Sequence, residues 1–208
     1  MKRLFLSFFI LIGGFGTAHA QSARFGIKTG GSLTSFVGKD VKTTATSKLG
    51  FHTGIVANLG LTDRFSVQPE LLYSMKGVKD ELSSSGSATL MGYQTLHYVD
   101  VPVLLKASFN SLFVEGGPQV GVLISATQSV ESGSMSKSTS SKEAFKDVDF
   151  GYALGIGVQA STGLMAGLRY NGGLSNIAKP VTLGGQTIQP EARNSAFQIY
   201  VGYLFGVK

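Results

Sequence analysis

The chain has 208 residues, room for one domain or one small barrel, and it carries 28 glycines, 14 phenylalanines and seven tyrosines with only 14% charged residues. That composition is too apolar and too glycine-rich for an ordinary soluble domain, and the absence of cysteine excludes a disulfide-stapled fold. Without Lys2 and Arg3 the 18 basic residues fall to 16 against 12 acidic ones, a net charge of +4 spread along the chain rather than gathered in a block. Nucleic-acid binding is excluded by that distribution.

The first twenty residues read as a secretory signal peptide. Lys2 and Arg3 form the positive end, Leu4 to Ile12 the apolar run, and Ala18-His19-Ala20 the small-x-small site, so cleavage is expected between Ala20 and Gln21. The apolar run is too short to span a bilayer as a helix. Residues 1–20 are therefore expected to be the signal peptide and residues 21–208 a single exported domain.

Past residue 20 no apolar stretch reaches the 18 residues of a membrane helix, and period-two alternation takes its place. Apolar or small residues hold the odd positions from Phe25 to Leu33, Phe51 to Leu59, Phe65 to Met75 and Val99 to Phe109. They hold the even positions from Leu112 to Ile124, Phe150 to Ala160 and Leu164 to Tyr170, and the odd positions from Phe197 to Val207. Eight strands follow, the seventh the shortest. No charged residue falls on this parity, whereas the opposite one carries Lys28, Glu70, Lys76, Asp100, Lys106, Glu115 and Arg169.

Alternation alone would also suit a soluble sandwich; the connections decide. Leu61-Thr62-Asp63, Asn110-Ser111 and Thr162-Gly163 are tight hairpins. Residues 34–49, 77–95, 125–148 and 173–194 are long, rich in Ser, Thr, Gly and Lys, and without periodicity. The run from Ser132 to Ser141 is not expected to order itself. Strict alternation of short and long connections is the signature of a transmembrane barrel with short periplasmic turns and long extracellular loops. Phenylalanines near the strand ends on the apolar parity, Phe25, Phe51, Phe65, Phe109, Phe150, Phe197 and Phe205, fit the aromatic girdles of such a barrel. The expected fold is all-β: an eight-stranded antiparallel up-and-down barrel in the outer membrane of a Gram-negative bacterium, in contact with outer-membrane lipid.

Motifs for chemistry are weak. Gly155-Ile156-Gly157-Val158-Gln159-Ala160 matches a dinucleotide-binding glycine pattern, but that pattern needs a helix opening at its third glycine position, and here it lies inside a strand, where inward glycines relieve crowding. His52 and His97 have no acidic or thiol partner at metal-ligand spacing. No serine is marked as activated by a base. No catalytic, cofactor or metal site is expected. The remaining constellation is a lumen charge network, Glu70, Asp100, Lys106, Glu115 and Arg169, read either as a closed plug or as the wall of a water-filled path. Eight strands leave an interior that side chains can fill, which favours the plug. Counting back from a turn at Asn110-Ser111 sets Lys106 directly opposite Glu115, where the two could pair.

Three segments in order resemble the PorT-like outer-membrane β-barrel proteins common in the Bacteroidetes. They are Val67-Gln68-Pro69-Glu70-Leu71-Leu72-Tyr73-Ser74-Met75-Lys76-Gly77, Tyr98-Val99-Asp100-Val101-Pro102-Val103-Leu104-Leu105-Lys106, and Gly116-Gly117-Pro118-Gln119. The C-terminal Tyr200 to Val207 is similar to the signal read by the barrel assembly machinery, although the chain ends in Lys208 rather than in an aromatic. The resemblance implies fold and location rather than a biochemical role. The leading expectation is a non-enzymatic structural or binding component of the cell envelope, meeting a partner protein through loops 34–49, 77–95, 125–148 and 173–194. A narrow pore for ions or small solutes, and a lipid-modifying membrane enzyme, are the alternatives.

Overall fold

The computed structural model describes residues 23–41, 45–85, 88–132, 135–184 and 186–206. Residues 1–22, which include the expected signal peptide and its cleavage site, and residues 207–208 lie outside them. In chain order the strands are β1 (Ala23–Val37), β2 (Ala45–Gly60), β3 (Phe65–Ser85), β4 (Ala88–Phe109), β5 (Leu112–Ser132) and β6 (Met135–Ser140). There follow β7 (Val148–Gln159), β8 (Leu164–Gly173), β9 (Val181–Leu183), β10 (Gln186–Ile188) and β11 (Arg193–Leu204). Eight of these close a ring in the order β1-β2-β3-β4-β5-β7-β8-β11, every neighbour antiparallel, with β11 returning to β1 from Gly26↔Leu204 to Val37↔Arg193. An eight-stranded up-and-down barrel is the result, and closure leaves no free edge around the ring.

Three short turns gather at one end, at residues 61–64, 110–111 and 160–163, together with the start of β1 and the end of β11. The β4–β5 hairpin turns on Asn110 at φ 56°, a left-handed conformation that asparagine tolerates better than most residues. Its ladder runs Phe109↔Leu112 and Lys106↔Glu115.

The period-two pattern becomes a two-faced wall. Phe25, Phe65, Phe109 and Phe205 stand exposed near the short-turn end, and Phe51, Phe150 and Phe197 toward the other, with Ile27, Ile55, Val103, Leu154 and Ile156 exposed between. Such a band of outward Leu, Ile, Val and Phe would be a liability in water and is what a bilayer requires. The charged parity points inward: Lys28, Glu70, Lys76, Asp100, Lys106, Glu115 and Arg169 are all buried.

The long connections differ from the sequence expectation. Residues 77–85 and 88–95 are not an irregular loop; β3 and β4 continue through them, paired out to Ser85↔Ala88, and residues 86–87 lie outside the described ones. Within 125–148, β5 runs on to Ser132, and Met135–Ser140 of the segment expected not to order form β6, paired from Thr127↔Ser140 to Ser132↔Met135. Within 34–49, β1 reaches Val37 and β2 starts at Ala45; 173–194 holds the β9–β10 hairpin. Period-two apolar alternation reports a continuous buried or lipid-facing side, and among the described residues these extensions bury scattered positions such as Val78 and Ala126 rather than such a face. Their ladders are held by backbone hydrogen bonds that Ser and Thr make as well as Val does, so no hydrophobic pattern announces them.

Apolar side chains close the interior at both levels. Toward the short turns, Val56, Phe113, Met165, Tyr200 and Leu204 pack together. Toward the long connections, Leu96, Tyr98, Leu123, Ala126 and Ile177 do so, with Phe36, Phe145 and Ala192 against them. Ile177 comes from the connection after β8, which folds back over the mouth. Its N–H donates to the Ala192 carbonyl at 2.8 Å, its own carbonyl accepts from Lys146 N–H at 2.8 Å, and Asn176 Oδ1 accepts from Ala178 and Ala192 N–H groups.

Candidate functional site

Between the two apolar layers lies a polar one centred on Arg169 of β8, only 2% exposed. Its guanidinium reaches two carboxylates, Glu70 on the facing wall and Glu115 two strands away on β5. Nη1 and Nη2 donate to Glu70 Oε2 and Oε1 at 2.7 and 2.9 Å, while Nε and Nη2 donate to Glu115 Oε1 at 2.9 and 2.6 Å. The planar fork of arginine suits this double duty, which a lysine point charge could not perform. Glu70 also accepts from Lys28 Nζ at 2.6 Å and Gln68 Nε2 at 2.7 Å, and Glu115 accepts from the Tyr200 hydroxyl at 2.9 Å. The Lys28 ammonium lies 4.0 Å from the centroid of the Tyr200 ring.

Lys106 and Glu115 stand opposite one another in the ladder, but they do not form the ion pair that this register suggested. Arg169 takes Glu115, because a guanidinium between two carboxylates satisfies more acceptors than an ammonium can. Lys106 Nζ instead donates to Gln159 Oε1 at 2.7 Å and sits 3.8 Å over the Phe113 ring.

A second group lies nearer the long connections. Lys76 Nζ meets Asp100 Oδ1 at 3.0 Å and lies 4.6 Å over the Tyr98 ring. Asp149 accepts from Asn194 Nδ2 at 2.9 Å and from the Ser175 hydroxyl at 2.8 Å, while Asn171 donates to Gln119 at 2.9 Å. Four lumen cations, Lys28, Lys76, Lys106 and Arg169, thus face four anions, Glu70, Asp100, Glu115 and Asp149. The cavity left among Lys76, Gln119, Asp149, Asn171 and Asn194 measures about 10 Å³, space for about one water.

Sequence reasoning missed Asp149, Tyr98, Tyr200, Gln68 and Asn194 as members of this interior. Asp149 was within reach: it has the inward parity next to Phe150, but it falls at the edge of a segment read as loop. The glycines of the segment Gly155-Ile156-Gly157 lie in β7 and face inward. A Cβ on Gly155 would come within 3.0 Å of Glu115 Oε1, and one on Gly157 would strike the Phe113 ring. Their smallness is what admits those side chains.

Among the described residues no group of three or more His, Cys, Asp or Glu is placed to hold a metal ion, and no helix is long and apolar enough to cross a membrane. The membrane is crossed by strands: a closed barrel, apolar outside and polar within, is the transmembrane β-barrel class. The chain belongs to the outer membrane protein beta-barrel domain family, whose model matches residues 19–179. No curated protein sequence matches it. Among solved structures it is similar to Ail, the attachment invasion locus protein of Yersinia pestis, in complex with the heparin analogue sucrose octasulfate. The identity is 13%, covering 88% of this chain and 99% of that one, with a TM-score of 0.48. It is also similar to Neisserial surface protein A, at 15% identity over 88% and 98% of the two chains and a TM-score of 0.44. OprG from Pseudomonas aeruginosa gives 13%, 88%, 96% and 0.42.

Proposed function

We propose that this outer-membrane protein is a non-enzymatic binding component of the cell envelope, with a lumen closed by its own side chains and a working surface in the sheet raised above the barrel. The observation that carries this is the inequality of strand lengths. β3, β4 and β5 have 21, 22 and 21 residues, whereas β7, β8 and β11 have 12, 10 and 12. About 9–11 residues cross a bilayer at a tilt, so one side of the wall runs roughly 30–40 Å farther than the other along the strands. β6 ends that raised sheet, its residues Ser136 to Ser140 exposed and no further strand paired to it among the described residues. An exposed strand edge presents unpaired backbone groups to which an extended segment of a partner protein can add.

In this reading the charge network of Glu70, Asp100, Lys106, Glu115 and Arg169 is structural. The short turns and both ends of the mature chain face the periplasm, and the raised sheet faces outward. Residues 1–20 are the signal peptide, cleaved after Ala20, and the barrel assembly machinery inserts the domain. PorT-like membership, suggested by the three segments that supply Glu70, Lys76, Asp100, Lys106 and Gln119, is the finer family assignment. The packed interior speaks against the narrow-pore alternative.

A photo-crosslinking residue at Lys137 of β6, compared in native membranes with one at the lipid-facing Leu154, tests the proposal. A discrete protein adduct at position 137, absent at 154 and competed by the partner's own segment, is the expected result. Equal labelling by lipid alone at both positions would refute it.

A further inference from the structure

At the short-turn end the barrel opens into a vestibule of about 640 Å³, within the range of ligand-binding cavities. Its wall includes Arg24, Arg64, Lys106, Asn58, Gln159 and one acidic residue, Asp63. We propose that this vestibule binds a phosphate-bearing anion, with Lys106 as its floor and Arg24 and Arg64 as its rim.

Lys106 carries the argument. It is 1% exposed, yet among the described residues no carboxylate lies within 4.0 Å of its ammonium. The other three lumen cations each have one: Lys28 has Glu70, Lys76 has Asp100, and Arg169 has Glu70 and Glu115. The remaining lumen carboxylate, Asp149, is engaged by Ser175 and Asn194 near the other end of the barrel. An ammonium has three donors, and Lys106 spends one on the neutral Oε1 of Gln159. A buried cation with no carboxylate at ion-pair distance is costly, a cost that the longer-range charges of Glu115 and Glu70 and the Phe113 ring offset in part, and the vestibule that Lys106 lines is the side from which an anion can approach it.

Three cations against Asp63 leave two positive charges around the cavity, which matches the charge of a phosphate monoester better than that of a single carboxylate. Arg24 and Arg64 supply the fork-shaped donors that grip phosphate oxygens, and Lys106 the point charge beneath. The volume exceeds a bare phosphate and leaves room for its organic part. The exposed Phe25, Phe65 and Phe109 set the vestibule at the level of an aromatic girdle, so the phosphate can come from a lipid headgroup or from a soluble organic phosphate. This site is independent of what the raised sheet binds at the opposite end.

The test is NMR of the refolded barrel in maltoside micelles, which contain no phosphate, titrated with glycerol 3-phosphate. A parallel arm uses nanodiscs with phosphatidylglycerol and reads contacts between lipid ³¹P and the Lys106 ammonium. Saturable shifts at Lys106 and Gln159, or a lipid phosphorus contact at Lys106, is the expected result, and which arm responds identifies the source. Lys106→Met should weaken binding about tenfold, the loss of one charge-assisted hydrogen bond. Arg24→Gln with Arg64→Gln, on side chains outside the packed interior, should do at least the same without disturbing the fold. Silence in both arms, or binding unaltered by either variant, would overturn the site.

Discussion

Arg169 of β8 and Glu70 of β3 meet across the lumen in a two-pronged pair, Nη1 to Oε2 at 2.7 Å and Nη2 to Oε1 at 2.9 Å, on strands that are not neighbours in the ring. This contact ties opposite walls together where no backbone ladder can. Breaking a buried pair by removing one partner strands the other charge, at about 3–5 kcal/mol. Arg169→Met should therefore destabilise the barrel by that amount, and Arg169→Lys should recover less than half, since an ammonium cannot serve Glu70 and Glu115 with the same geometry. Urea unfolding in lipid vesicles, followed by gel mobility, measures both.

Register and partnership separate at Glu115. It lies opposite Lys106 in the β4–β5 ladder, yet its acceptor oxygen is filled by Arg169 and Tyr200. A double-mutant cycle of Lys106→Met and Glu115→Gln should give coupling below about 1 kcal/mol, while Arg169→Met with Glu115→Gln should give about 1.5–3 kcal/mol. The reverse order would mean that Lys106 is the true partner.

The two faces of the wall predict opposite responses to charge. Val103 and Leu154 are exposed on the outer surface, 42% and 57%, between the aromatic girdles. Replacing either by Arg should cost about 2–4 kcal/mol in a bilayer. The same substitution at Thr139, exposed on the raised sheet beyond the wall, should be close to neutral. Equilibrium unfolding in vesicles of the three variants distinguishes the surfaces.

Much of this was legible in the sequence because one physical fact is written along each strand. A wall with lipid on one side and a narrow lumen on the other must alternate, so Phe25 to Leu33 or Leu112 to Ile124 could be read as strands and their partners Lys28 and Glu115 as inward. The Asn110-Ser111 turn was equally plain, and with it the Lys106↔Glu115 register. What escaped had no such signature. After Met135, β6 is a run of Ser, Lys and Thr whose ladder rests on backbone and a Ser129–Ser138 hydroxyl contact rather than on apolar packing, and Ile177 is an apolar residue in a loop, buried because the mouth of the barrel is there to receive it. The partner of Glu115 escaped because register fixes neighbours on adjacent strands, while Arg169 reaches it from β8, two strands away.

Small residues on the inner face predict overpacking. Gly157 faces the Phe113 ring so closely that an added Cβ would overlap it, with backbone on the other side. Gly157→Ala should cost about 1–3 kcal/mol, part of it recovered by Phe113→Leu in the same chain. Thermal melting of the single and double variants in detergent shows whether the losses fail to add.

The central claim is that the lumen is shut, with Arg169, Glu70 and Glu115 between two apolar layers. Single-channel recording of the refolded mature protein in planar bilayers, in molar potassium chloride, tests it most directly. The packing predicts a current indistinguishable from the bare bilayer over the full voltage range; discrete, reproducible steps that scale with salt would contradict it.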